Sequence, residues 1–424
     1  MKAARRFPEA SLWLILSIAC AACMEFYVAK IWSAGQPPSF SDLYAPWWAA
    51  HELFLHKRNP YTPAVAHQIQ TVIYGAPAIA TRPGDPAEMA GGFAYPLYAA
   101  FLFWPTIHLQ FPAVQILVLC VSAAATVGSL LVCLHGIQYR GSPVRLLALA
   151  LFTGGSFPIL QGLRLQNLSL VAGGMLMLAI FLLASGRLTL AGVVLAASTF
   201  KPQFTILVVP WLVLWTVSNW RRRQYLVWSF LSSMATLIAA SEWILPGWIS
   251  NFVRVVLAYR SYTFGRSVLD VWFTHNGATF AAVAVLLATI SLCWRYRGYP
   301  ANSPSTFVAV SLVLAATLVV IPTLAPHTQI LLLPGILCLL RYPNPPSTSG
   351  RLATLAVWLL LGWPYAAAAA ITLSAVRLPT NVLSHWWEVP LLTSPALPLV
   401  VLFALGFLIR HQRWPEAELN RQLP

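Results

Sequence analysis

The stretch Leu163–Gln203, "LRLQNLSLVAGGMLMLAIFLLASGRLTLAGVVLAASTFKPQ", reads as two apolar runs joined by a short turn at Arg187 and closed by the polar tripeptide Lys201 to Gln203. Runs of this kind suit a bilayer core, which takes about 20 residues of helix to cross. Backbone groups inside lipid must be paired within their own segment, so helices are expected here. The "KPQ" tripeptide breaks a longer apolar segment, 188–217, near its middle. A break there leaves backbone groups unpaired, so it is expected to face protein or a watery cavity. A second long segment, 305–341, is broken in the same way by "PHT", Pro326 to Thr328.

Working outward, apolar segments at 11–32, 112–134, 144–160, 225–245, 277–294, 352–375 and 390–409 extend the pattern along the chain. Hydrophobic residues make up 58% of the sequence and charged residues 9%. The fold class is therefore an all-α polytopic membrane protein, a single integral domain over 1–424 with about 11–12 crossings once each broken segment is read as a hairpin. Residues 33–95 form a long first loop, Tyr95 to Phe111 a half-span that dips in or shares a crossing, and 410–424 a short tail.

The net charge of +15 comes from Lys and Arg spread through short loops, which points to the positive-inside rule and away from a nucleic-acid partner. Lys2, Arg5 and Arg6 precede the first run, which is too long for a signal-peptide core and is read as a retained span with a cytoplasmic N-terminus. Arg140, Arg145, Arg187, Arg221 to Arg223, Arg295, Arg297, Arg341, Arg351, Arg410 and Arg413 then share the cytoplasmic side. The 33–95 loop and both breaks fall on the opposite, extracytoplasmic side. The 6 cysteines lie in or at the edge of apolar runs without ligand spacing, and no disulfide framework is implied. No cluster shows clear divalent-metal spacing and no G-x-G-x-x-G stands in a β-α-β context, so neither a required metal nor another cofactor is expected.

The extracytoplasmic face collects a mixture that suits an anionic substrate and one general base: Asp42, Glu52, Lys57, Arg58, Gln166, Asn167, Lys201, Gln203, Arg266, Asp270 and His327 among others. Polar groups at membrane depth are costly, which makes Lys201 and His327 functional candidates. Each has a plainer reading. Asp42 or Ser41 fits an N-cap for the helix beginning "LYAPWWAAHELFL", Glu52 an ion-paired residue of that helix, Lys201 a snorkelling side chain and His327 a hydrogen-bonded structural residue. Trp47 and Trp48, near Asp42, suit a membrane interface or a surface on which a sugar stacks.

Four blocks carry a resemblance: "SDLYAPWWAAHELFLHKRNPY" (41–61), "FAYPLYAAFLFWP" (93–105), the opening stretch, and "PTLAPHTQILLLP" (322–334). Their order and content resemble family 87 glycosyltransferases of the GT-C class. The resemblance implies a GT-C-like bundle that transfers a hexose, most often mannose, from a polyprenyl-phosphate donor to an extracytoplasmic lipid or glycan acceptor, with inversion. It implies Asp42 as general base, and Lys201, His327, Gln166, Asn167, Gln203 and Tyr44 as donor phosphate or sugar contacts. Lys57, Arg58, Glu52, Tyr61, Asp270 and Arg266 are then rim or acceptor contacts, and the expected location is a bacterial plasma membrane. A multi-pass transporter or flippase of lipid-linked sugars, or a glycan polymerase or ligase, is the rival reading, since broken helices also mark transport sites.

Overall fold

A computed structural model describes residues 9–36, 40–77, 85–262, 265–322, 325–343 and 347–411. No strand occurs among them. The first half holds α1 (Glu9–Phe26), α2 (Tyr44–His56), α3 (Pro63–Tyr74), α4 (Phe111–Gly136), α5 (Pro143–Gly154), α6 (Phe157–Leu165), α7 (Ser169–Ala184), α8 (Leu188–Ser198), α9 (Pro202–Thr205) and α10 (Val208–Val217). The second holds α11 (Trp220–Ile244), α12 (Trp248–Tyr262), α13 (Leu269–Trp272), α14 (His275–Trp294), α15 (Pro304–Val320), α16 (Leu333–Arg341), α17 (Thr348–Ser374), α18 (Thr380–Leu383) and α19 (Ala396–His411). Several starts follow from local chemistry. Ser142 and Ser303 cap α5 and α15 through hydroxyls that accept from Arg145 N and Thr306 N, each with proline in the first turn.

The chain is an integral multi-pass membrane protein. Six described helices are long and apolar enough to cross a bilayer, or up to 7 if the bent pair α5 and α6 forms one span. Their outward faces carry large apolar side chains such as Ile116, Leu131, Phe280, Leu287, Leu355 and Leu359, as a lipid solvent requires. At the centre stands α15, whose residues from Ser305 to Val319 are all buried. A helix that is apolar all round belongs in such an interior position.

The expected 11–12 crossings exceed the long helices; with the bent pair counted as one span and the shorter apolar helices, Ser169–Ala184, Leu188–Ser198, Pro202–Val217 and Pro304–Val320, crossing as well, the described residues reach 11. The physical reason is length. The 11 residues of α8 rise about 16 Å, roughly half a hydrocarbon core, so the "KPQ" break lies part-way along the bundle. The half-span at 95–111 is a set of 3-10 turns, Leu97–Leu102 and Trp104–Thr106. The long first loop is itself folded. Tyr61 donates to Tyr95 O at 2.8 Å, Trp48 Nε1 to Gln68 Oε1 at 3.0 Å and Gln70 Nε2 to Ala90 O at 2.7 Å, which tie α2, α3 and the following turns together.

Several arginine-bearing turns gather at one end of the bundle. Arg223 donates to the carbonyls of Arg297 (2.8 Å), Gly298 (3.1 Å) and Tyr299 (2.9 Å), and Tyr296 to that of Ile409 (2.7 Å). Arg140 and Arg341 line one cavity together. Lys2, Arg5, Arg6, Arg413 and the tail from 412 lie outside the described residues.

Small residues set the close helix contacts, the usual device where lipid supplies no hydrophobic drive between helices. At Gly192 in α8, an added Cβ would meet Ser229 Oγ and lie 2.5 Å from Leu226 O of α11. Backbone cannot yield cheaply there. Gly192→Val is expected to cost about 1–3 kcal/mol by overpacking, read as a lower unfolding temperature in detergent. Gly128→Ala in α4, which meets nothing within 4 Å, should leave that temperature unchanged or raise it. Equal behaviour of the two variants would contradict this packing.

Candidate functional site

Three chain breaks meet to form the polar site. Gln166 at the C-terminal end of α6 adopts a left-handed conformation (φ 54°), which turns the chain sharply into α7. The turn presents Leu165 O to the backbone N–H of Asp42 at 2.9 Å. It also presents Gln166 Oε1, which accepts from Ser41 Oγ at 2.6 Å and from Gln115 Nε2 at 3.1 Å. The loop before α2 is thereby pinned to the α6–α7 turn across about 125 residues of sequence.

The Asp42 side chain does not cap α2. The helix has Leu43 at its N-cap with no side-chain bond, and Ser41 Oγ accepts from Leu43 N. Instead Asp42 Oδ2 accepts from Asn167 Nδ2 at 2.6 Å. Asn167 Oδ1 in turn accepts from Lys201 Nζ at 2.8 Å and from Ser169 N at 2.8 Å, and Lys201 Nζ also donates to Ser169 Oγ at 2.5 Å. Lys201 is 4% exposed, so the snorkelling reading fails. An ammonium has three donors, and two are used here. Among the described residues no carboxylate comes within ion-pair distance of it.

Burial pushes the Asp42 carboxyl above its ordinary 3.8, while the Asn167 hydrogen bond and the Lys201 charge oppose the rise. Tyr74, Tyr95 and Tyr259 lie close enough to feel the Asp42 charge. His327 sits in the 3-10 turns Pro326–Leu332, its backbone N–H donating to Gln161 Oε1 at 3.1 Å while its Nδ1 is buried without a partner. It couples electrostatically to Lys201, so the two broken segments do converge. An arrangement of this kind can accept a proton at Asp42 and hold an anion at Lys201 and His327.

Not every candidate joins it. Tyr44 is buried and stacks on Trp48 with centroids 5.9 Å apart, and Gln203 makes no hydrogen bond to the Asp42 chain. Lys57 and Arg58 stand exposed at the far end of α2, whose 13 residues measure about 20 Å. Glu52 is buried and paired with Arg58 at 3.1 Å. Tyr61 is buried and spends its hydroxyl on Tyr95 O. Arg266 is exposed, and Asp270 Oδ2 accepts from Ser267 N (2.7 Å) and Ser267 Oγ (2.6 Å), a local loop contact. Apart from this site, His51, Glu52 and His56 on the last turns of α2 bring ligand atoms within 4.8 Å of one another.

Residues missed from the sequence are Ser169, Gln161, Tyr74 and Tyr259. Ser169 follows the Gln-Asn pair by two positions and was open to notice; the others depend on tertiary folding. An apolar cavity of about 570 Å³ lies between α1, α5, α16 and α17, with Arg145 and Gln329 among its lining. Helix α6 gives Phe157 to Ile159 to that cavity while its Gln161 and Leu165 support the polar site.

The model of the family described as glycosyltransferase family 87 matches residues 93–322, more than half of the chain. No curated protein and no solved structure matches.

Proposed function

Because the chain belongs to glycosyltransferase family 87, we propose that it transfers a hexose, mannose being the first candidate, from polyprenyl phosphate to a lipid or glycan acceptor with inversion. The family favours transfer over transport. The observation that carries the finer reading is the buried Lys201 ammonium, with two hydrogen bonds among the described residues, joined through Asn167 to Asp42. A buried cation with no carboxylate within ion-pair distance among the described residues favours an anionic ligand.

The acceptor hydroxyl attacks the anomeric carbon as Asp42 takes its proton. The new C–O bond forms while the anomeric carbon's bond to the phosphate oxygen breaks, and the leaving lipid phosphate is held by Lys201 with His327 beside it. Such a leaving group needs charge stabilisation and no proton. Asn167 serves both partners, accepting from the lysine and donating to the aspartate, and so holds base and cation in one geometry. The apolar cavity along α6 suits the donor's isoprenoid chain. The arginine-bearing end faces the cytoplasm and the Asp42 end the opposite side of a bacterial plasma membrane.

Stereochemistry tests this directly. The anomeric proton coupling of the product, measured by NMR, should show configuration opposite to that of the donor. Retention would require a covalent intermediate and would sink the single-base mechanism. The pH dependence carries a second expectation. Asp42 must be ionised to act, and burial raises its pKa, so the acid limb of kcat/KM should lie above an ordinary carboxylate's. Since Asn167 lowers that pKa, Asn167→Ala should move the limb to still higher pH. A limb that stays fixed or moves down would contradict the assignment.

A further inference from the structure

At the C-terminal end of α2 the buried Glu52 carboxylate, 2% exposed, faces several groups at once. Its Oε2 accepts from Arg58 Nη1 at 3.1 Å, and its Oε1 lies 3.8 Å from His51 Nδ1 and 3.9 Å from His56 Nε2. His51 Nδ1 is buried and has no hydrogen-bond partner. A buried ring nitrogen in that state is costly and calls for an explanation. The ring is held in place by stacking on Trp48, centroids 4.8 Å apart and planes 8° from parallel.

We propose that His51 Nδ1, Glu52 Oε1 and His56 Nε2 bind a divalent transition-metal ion of the zinc type, separate from the Asp42 site. Two imidazoles and one carboxylate form a donor set that such ions accept, with bonds of about 2.0–2.2 Å. Ligand atoms around one ion then lie about 3.3 Å apart, so the separations of 3.8 and 3.9 Å to Glu52 Oε1, in a set whose atoms all lie within 4.8 Å of one another, close with modest side-chain shifts. The ion supplies the partner that His51 Nδ1 lacks and leaves Oε2 to Arg58. Arg58 is 59% exposed and can swing aside, and His56, 49% exposed, opens the site to solvent. A bound ion fixes His51 and, through the stacked Trp48 and Tyr44, the helix that begins just after Asp42. The inference rests on this cluster alone and does not depend on the donor's identity.

The test uses the full-length protein, purified without a polyhistidine tag, treated with chelator and titrated with cobalt(II) by absorption and with zinc(II) by calorimetry. One equivalent should bind, with the ligand-field bands of four- or five-coordinate cobalt. Affinity should fall at least about 10-fold in His56→Ala and in Glu52→Gln, remain in His275→Ala, and rise in Arg58→Gln, which removes the competing cation. His56 is half-exposed, so its variant should unfold at the wild-type temperature and keep the test decisive. Absence of stoichiometric binding, or wild-type affinity in His56→Ala, would overturn the proposal.

Discussion

Replacing Asp42 by Asn is expected to lower kcat by about 10²–10⁴-fold, the range of a lost general base, or about 3–5 kcal/mol of barrier. The substitution is isosteric. Its amide oxygen can still accept from Asn167 Nδ2, the contact now 2.6 Å long, so the loop before α2 stays pinned to the α6–α7 turn. Donor affinity and unfolding temperature should therefore stay near wild type. Binding of the polyprenyl-phosphate sugar, measured by calorimetry in lipid nanodiscs alongside turnover, separates the two effects. A variant that turns over normally would remove Asp42 from the mechanism; one that loses donor binding in step with kcat would make it a binding residue.

Lys201→Met is expected to weaken donor transfer by about 10²–10³-fold, the usual cost of deleting one preorganised group that stabilises developing charge. Stability should behave differently. Wild-type folding buries an ammonium among Asn167, Ser169 and the Phe204 ring, 5.6 Å away, and no carboxylate among the described residues neutralises it directly. An apolar side chain of similar volume relieves that desolvation while costing two hydrogen bonds, so the net change should stay within about 1 kcal/mol. Loss of transfer with little loss of stability is the signature of a group kept for function. If the variant unfolds early and its remaining folded fraction works normally, the lysine is structural and the phosphate lies elsewhere.

Much of the architecture was legible because lipid imposes it. The apolar runs had to be helices, and "KPQ" and "PHT" had to face something polar. Both breaks do reach one region, with Lys201 buried and His327 close enough to feel its charge. The number of crossings was not legible, since hydropathy reports how long a segment stays apolar and says nothing of bends. The 58° turn between α5 and α6 and the short α8 illustrate the difference. Asp42 could be singled out as a rare carboxylate and Asn167 placed on the same extracytoplasmic face, but the two stand 125 residues apart, and their direct pairing is a tertiary contact that no local pattern encodes. Local pattern also misled at Asp42, where an N-cap was plausible and the fold spends the carboxylate on a long-range contact. At His51, Glu52 and His56 only the i,i+4 pair shares an obvious helical face. The approach of His51 depends on its stacking against Trp48, which periodicity does not encode.

The most direct measurement of the central claim offers the purified protein, in lipid nanodiscs with a membrane-lipid acceptor pool, radiolabelled mannose on polyprenyl phosphate or on a nucleoside diphosphate in parallel. The account predicts label in a new glycolipid from the lipid-linked donor alone. Transfer from the nucleotide sugar, with none from polyprenyl phosphate, would contradict it.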